Sequence, residues 1–121
     1  MMIRGVRGAT TVDRNESEEI IARSLELMED VVSSNHIKAE DVVSVYFTVT
    51  NDIDDTFPAK CLRGMDGWTY VPVMCMREIP VTGSLPKCIR VMVTVQTDME
   101  QKQVKHIYHY DAKQLRPDLK S

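Results

Sequence analysis

No run of apolar residues in this sequence approaches the roughly 20 that a membrane-spanning helix needs. The opening residues, MMIRGVRGATT, hold nothing like the apolar centre of a signal peptide. Cysteine is scarce. Cys61, Cys75 and Cys88 make an odd count without CxxC spacing, which argues against a disulfide framework and fits buried, reduced thiols in a cytoplasmic protein. Glycine and proline number five each, too few for a collagen-like or low-complexity chain. GxSxG, P-loop and dinucleotide fingerprints are all missing. Histidine is rare, and His106 and His109 are three apart; in a strand they would point to opposite faces, so a shared metal is not expected. Positive charge is not in excess either. The net charge of −3 favours neither nucleic acid nor an anionic membrane as partner.

What is present suits one small domain. The 121 residues, 43% hydrophobic and 27% charged, bury about two-thirds of their unfolded surface without needing a staple. Met2 to Ala9 reads as an opening strand with Ile3, Gly5 and Arg7 on one face and Arg4, Val6 and Gly8 on the other. A helix follows, with Asn15 as expected N-cap, Glu18 at the capping-box position, and an apolar stripe through Ile21, Leu25, Met28 and Val32 beside Ile20, Leu27 and Val31. Glu19 and Arg23 can pair across one turn. DVVSVYFTVT (residues 41–50) is a second strand, TFPAKCLRGM one or two helical turns, and WTYVPVMCM (68–76) a third strand that Pro72 places at an edge or bulge. PKCIRVMVTVQT and VKHIYHY supply the fourth and fifth strands. LRPDLKS, with residues 116–121 as a mobile tail, closes the chain. The fold class is therefore α+β: a mixed sheet of about five strands with one long helix on one face. One helix leaves the other face, rich in Val, Met and Tyr, to another subunit.

Arg90 interrupts an otherwise ideal strand. Ile89, Val91, Val93 and Val95 form a core face, so Arg90 shares the other with Met92, Thr94 and Gln96. That face meets solvent, an interface or a pocket. Arg7, Lys60, Arg63 and Arg116 also lie beside apolar or glycine-bearing segments rather than in a solvated charge run. Arginines gathered from separate elements could hold a small polyanion, because the guanidinium fork matches carboxylate and phosphate; scattered surface charge is the alternative.

The stretches MIRGVRGATTV, FPAKCLR, GWTYVPVMCMREIPVTGSLPKCIRVMVTVQTD and LRPDL closely resemble the monofunctional chorismate mutases of the AroH class, over nearly the whole chain. The resemblance implies a homotrimer whose sheets form a central pseudo-α/β-barrel, with active sites at subunit interfaces. It implies rearrangement of the dianion chorismate to prephenate, without cofactor or metal. By the same resemblance Arg90 would face the breaking ether bond, and Glu78 would bind the ring hydroxyl with Cys75 and stabilise positive character on the ring. Arg7 and Tyr108 would hold the side-chain carboxylate. Phe57 and Val73 would form apolar walls; Lys60, Arg63 and Arg116 would bring positive charge to the mouth. Ala59, Met76, Arg77 and Leu115 complete the expected set. Met74 stands where the family pattern leads one to expect threonine, which removes a hydroxyl. Two rivals remain at this stage: a trimeric enamine or imine deaminase, and a trimeric metabolite binder without catalysis.

Overall fold

The computed structural model describes residues 2–115. The expected mobile tail, residues 116–121 with Arg116, lies outside the described residues. Five strands, β1 (Met2–Thr11), β2 (Val42–Val49), β3 (Val73–Arg77), β4 (Cys88–Thr97) and β5 (Ile107–Tyr108), form one sheet in the order β3-β2-β4-β1-β5. The β1–β4 and β2–β4 pairs are antiparallel, whereas β1–β5 and β2–β3 are parallel. The sheet is mixed, as expected. Among the described residues one α-helix, α1 (Ser17–Ser34), lies on one face, and short 3₁₀ turns cover Ala39–Asp41, Pro58–Gly64, Gln101–Gln103 and Tyr110–Gln114.

Strand parity divides the molecule. Val6, Val45, Phe47, Ile89, Val91, Val93 and Val95 are buried against Ile20, Leu27, Met28 and Val31 of α1. Gly8 is what allows this contact. A Cβ there would lie 3.1 Å from Val91 Cγ1 and 3.2 Å from both Leu27 Cδ1 and Val31 Cγ2, so the helix could not approach so closely over any larger residue. On the opposite face Ile3, Tyr46, Met74, Met76 and Met92 are exposed.

Four expectations need correction. The N-cap of α1 is Glu16, without a side-chain cap bond. Asn15 instead accepts from the Asp54 and Asp55 amides, and Asp55 accepts from both the Ser17 amide and hydroxyl at 2.7 Å. A carboxylate from a distant loop thus does the work of the local capping box. The helix stripe is also rotated: Ser24 is buried at its centre, while Ile21, Leu25 and Val32 are only partly covered. The third strand begins at Val73, because residues 68–72 turn through Val71 N–H to Trp68 C=O and tuck Trp68 inside; Pro72 does mark a sheet edge. The fifth strand is two residues long. Glu19 and Arg23 pair as expected, at 3.8 Å.

Candidate active site

Two adjacent rungs of the ladder gather the chemistry on the open face. Met76, Thr48, Arg90, Ala9 and Tyr108 are successive partners across all five strands. Met74, Tyr46, Met92 and Arg7 form the next rung. Neighbours on one rung project to the same side of the sheet. Arg7, Arg90 and Tyr108, 101 positions apart from first to last by number (108 − 7), are therefore brought together by strand register alone.

Glu78 joins them from just past β3. Its amide donates to Val49 C=O at 2.8 Å, extending the pairing by one residue. One carboxylate oxygen accepts from the Thr48 hydroxyl, and the other lies 3.4 Å from Arg90 Nε. The contact with Arg90 is an ion pair whose geometry falls short of a hydrogen bond: Arg90 Nε is buried without a hydrogen-bond partner among the described residues. The Glu78 carboxylate holds the guanidinium by charge, and Nε keeps its directional bond unmade. The Cys88 thiol, two residues before Arg90 on β4, is pushed up by burial, with the Arg90 charge and a hydrogen bond from Arg90 opposing that rise.

Arg7, Gly8, Ala9, Arg90, Tyr108 and Leu115 line a cavity of about 250 Å³. Arg7 Nε and Tyr108 Oη are, like Arg90 Nε, buried without a hydrogen-bond partner among the described residues. Buried polar atoms in native proteins are almost always paired. Arg7 Nε and Tyr108 Oη, with the Arg90 guanidinium beside them at one cavity, make a site for an oxyanion such as a carboxylate. The segment carrying Tyr108 is well anchored: the His109 amide donates to Ala9 C=O at 2.9 Å, and His109 Nε2 lies 2.7 Å from an Asp30 oxygen on α1. That bond from His109 holds the Asp30 carboxyl below the ordinary carboxylate value.

The remaining expected residues gather elsewhere. Phe57, Ala59, Lys60, Arg63, Val73 and Cys75 line a cavity of about 630 Å³ between the 3₁₀ turn and the β3 edge. Three residues per 3₁₀ turn put Lys60 and Arg63 on one side. Phe57, 65% exposed, stands open at its rim. Cys75 is half-buried rather than buried, which corrects the expectation for the thiols; Cys61 and Cys88 are buried as expected. Burial pushes the Cys61 thiol up to about 12, with Cys75 adding to the shift, and burial raises Cys75 as well. Neither thiol is prepared as a nucleophile. Met74 and Met76 sit on the open face of the sheet, 60% and 41% exposed. The Arg77 guanidinium is occupied: Nη1 donates to the Thr50, Asn51 and Ile53 carbonyls at 3.1–3.2 Å. The two cavities share no lining residue.

Sequence reasoning missed Thr48, whose hydroxyl steadies Glu78. Its only signal was a threonine on the Arg90-type face of FTVT. It also set His106 aside, although His106 Nδ1 accepts a hydrogen bond from the Arg7 amide.

The comparisons with known proteins agree with one another. The family model described as chorismate mutase type I matches residues 3–119. A Bacillus subtilis (strain 168) protein named chorismate mutase AroH is 54% identical over 119 residues, covering 98% of this chain and 94% of its own. A Thermus thermophilus protein of the same name is 43% identical over 121 residues, covering 99% and 98%. A solved structure of a chorismate mutase from Clostridium thermocellum superposes with TM-score 0.87 at 48% identity, over 90% of this chain and 96% of that one.

Proposed function

This chain belongs to the chorismate mutase type I family, and we propose that it converts chorismate to prephenate by conformer selection and electrostatics alone. The rearrangement is intramolecular. It forms a carbon–carbon bond while a carbon–oxygen bond breaks, and needs no nucleophile, proton transfer or cofactor. Holding the dianion in its compact conformer removes an entropic part of the barrier. As the ether bond breaks, negative charge grows on its oxygen. A fixed guanidinium aimed there stabilises the transition state more than the substrate.

Arg90 fills that role. Glu78 keeps its charge in place, with Thr48 fixing the carboxylate, and turns an oxygen to the ring hydroxyl. Arg7 and Tyr108 take the side-chain carboxylate. The observation that carries this reading is the gathering at one cavity of the Arg90 guanidinium with Arg7 Nε and Tyr108 Oη, both buried without a hydrogen-bond partner among the described residues.

A pocket of about 250 Å³ with one carboxylate subsite is half a site. The other half is the Phe57, Lys60, Arg63, Val73 and Cys75 surface of a neighbouring copy, which brings apolar walls and charge for the ring carboxylate. The exposed apolar residues Tyr46, Met74, Met76 and Met92 support burial of the open sheet face in that assembly, a homotrimer. No described helix is long and apolar enough to cross a membrane, and a cytoplasmic biosynthetic role fits that. The test is loss of the chorismate diene absorbance, with wild type beside Arg90→Ala. Rapid loss with wild type only supports the mechanism. Tight binding of chorismate without turnover would make the protein a binder instead.

A further inference from the structure

We infer that His106 is a positioning residue for Arg7, acting through the Arg7 backbone; the consequence for catalysis rests on Arg7 binding a substrate carboxylate, as proposed above. The Arg7 amide lies on the β5 side of β1. Ala9 C=O, two residues on, accepts from the His109 amide across the β1–β5 pair, and strand groups two apart point the same way. The β1–β5 register covers only Gly8 with Ile107 and Ala9 with Tyr108. At Arg7 the ladder would call for a main-chain carbonyl. The imidazole takes that place: Arg7 N–H donates to His106 Nδ1 at 2.9 Å.

A side chain ending a ladder is useful only if it is itself held. Asn35, buried at the C-cap of α1, accepts from the Lys105 amide at 2.8 Å and donates to the Lys105 carbonyl at 2.9 Å. It donates to Val31 C=O at 3.0 Å as well. The path therefore runs from the helix end, through the Asn35 amide and residue 105, to the ring of His106, and from there to the backbone of Arg7. The Arg7 side chain reaches the cavity from that fixed point, with Nε buried and open to a ligand. Without the imidazole acceptor the half-buried Arg7 amide is left unpaired. The strand then gains freedom at the residue whose guanidinium must already be in place for the carboxylate. Binding should weaken while the Arg90 step is untouched.

The test combines a spectroscopic readout with kinetics. In unmutated, isotopically labelled protein a scalar coupling should connect Arg7 amide nitrogen to His106 Nδ1 across the hydrogen bond. His106→Leu, which removes the acceptor, should let the Arg7 amide exchange at least about tenfold faster, in line with losing one buried hydrogen bond. The same variant should raise KM for chorismate about tenfold with kcat within about twofold. His106→Asn, whose Oδ1 falls near the position of Nδ1, should restore both protection and KM. An absent coupling would overturn the inference even if His106→Leu did not fold. So would wild-type KM and wild-type Arg7 protection in a folded His106→Leu. If unmutated protein failed to turn over chorismate, the functional reading would fall, and the coupling and exchange data would still decide whether His106 holds Arg7.

Discussion

The two faces of the sheet are built from the same strands and do opposite things. The face under α1 is closed by Val6, Phe47, Ile89, Val91, Val93 and Val95, with no charged group among its buried residues. The face one residue out of phase carries Arg7, Arg90 and Tyr108, with buried donors that have no hydrogen-bond partner among the described residues. The closed face gains from every contact it makes. Among the described residues Thr10 Oγ1 and Ser24 Oγ are also buried without a partner, but neither lines the cavity; on the open face Arg7 and Tyr108 do, and their unmade bonds are available to an anion. Stability and chemistry are thus separated by a period of two, and substitutions on one face should leave the property of the other alone.

The sharpest break should come from the closed face. Phe47→Ala removes a fully buried ring and should cost about 3–5 kcal/mol. Urea unfolding at fixed protein concentration would measure it, and kcat of the protein still folded should change little. Next in size is Arg90→Ala. It should lower kcat by at least about 10²–10³ with an unfolding midpoint close to wild type, and Arg90→Lys should recover little of the rate because a point charge cannot reproduce the fork. Normal turnover in Arg90→Ala would end the division drawn here.

The two glycines of β1 give a finer test. Gly8→Ala drives a methyl between Val91, Leu27 and Val31 and should destabilise by about 1–3 kcal/mol. Gly5→Ala meets only the flexible Met92 Sδ, at 3.2 Å on the open face, and should cost less than Gly8→Ala. Equal losses would mean that the open face is packed as tightly as the closed one, which assembly around Met92 would produce. The smallest effect concerns Asp30. Its carboxyl is lowered by the His109 hydrogen bond, so its contribution is present above about pH 4 and fades as pH falls through the lowered native value. The stability difference between wild type and Asp30→Asn should be visible at neutral pH and vanish in acid. With no general acid or base in the mechanism, kcat should stay flat near neutrality; a steep bell would contradict it.

Much of this was legible in residue order. The alternation around Arg90 already separated core from open face, and β1, β2, β4 and α1 lie where periodicity put them. The misses lie at the ends of elements. The helix start was read from Asn15 and Glu18, but the cap comes from Asp55, 38 positions beyond Ser17. The third strand was read through Trp68 because its residues have strand propensity; a local turn and the burial of Trp68 overrode that. The fifth strand stops short where a histidine ring replaces a carbonyl. Propensity reports what a segment prefers alone, and each of these ends was set by a particular hydrogen bond or by burial that propensity does not contain.

By itself the sequence determined which side chains share a face, because a strand's period of two belongs to the backbone and needs no tertiary partner. It also carried the motifs that point to the family. Tertiary structure alone decided the register that sets Arg7 beside Met92 and Arg90 beside Ala9, the placing of Glu78 against Arg90, and the use of His106 as a ladder acceptor. Those depend on which strands pair and where they stop. That choice is made by burying one whole apolar face at once, so no short segment contains it.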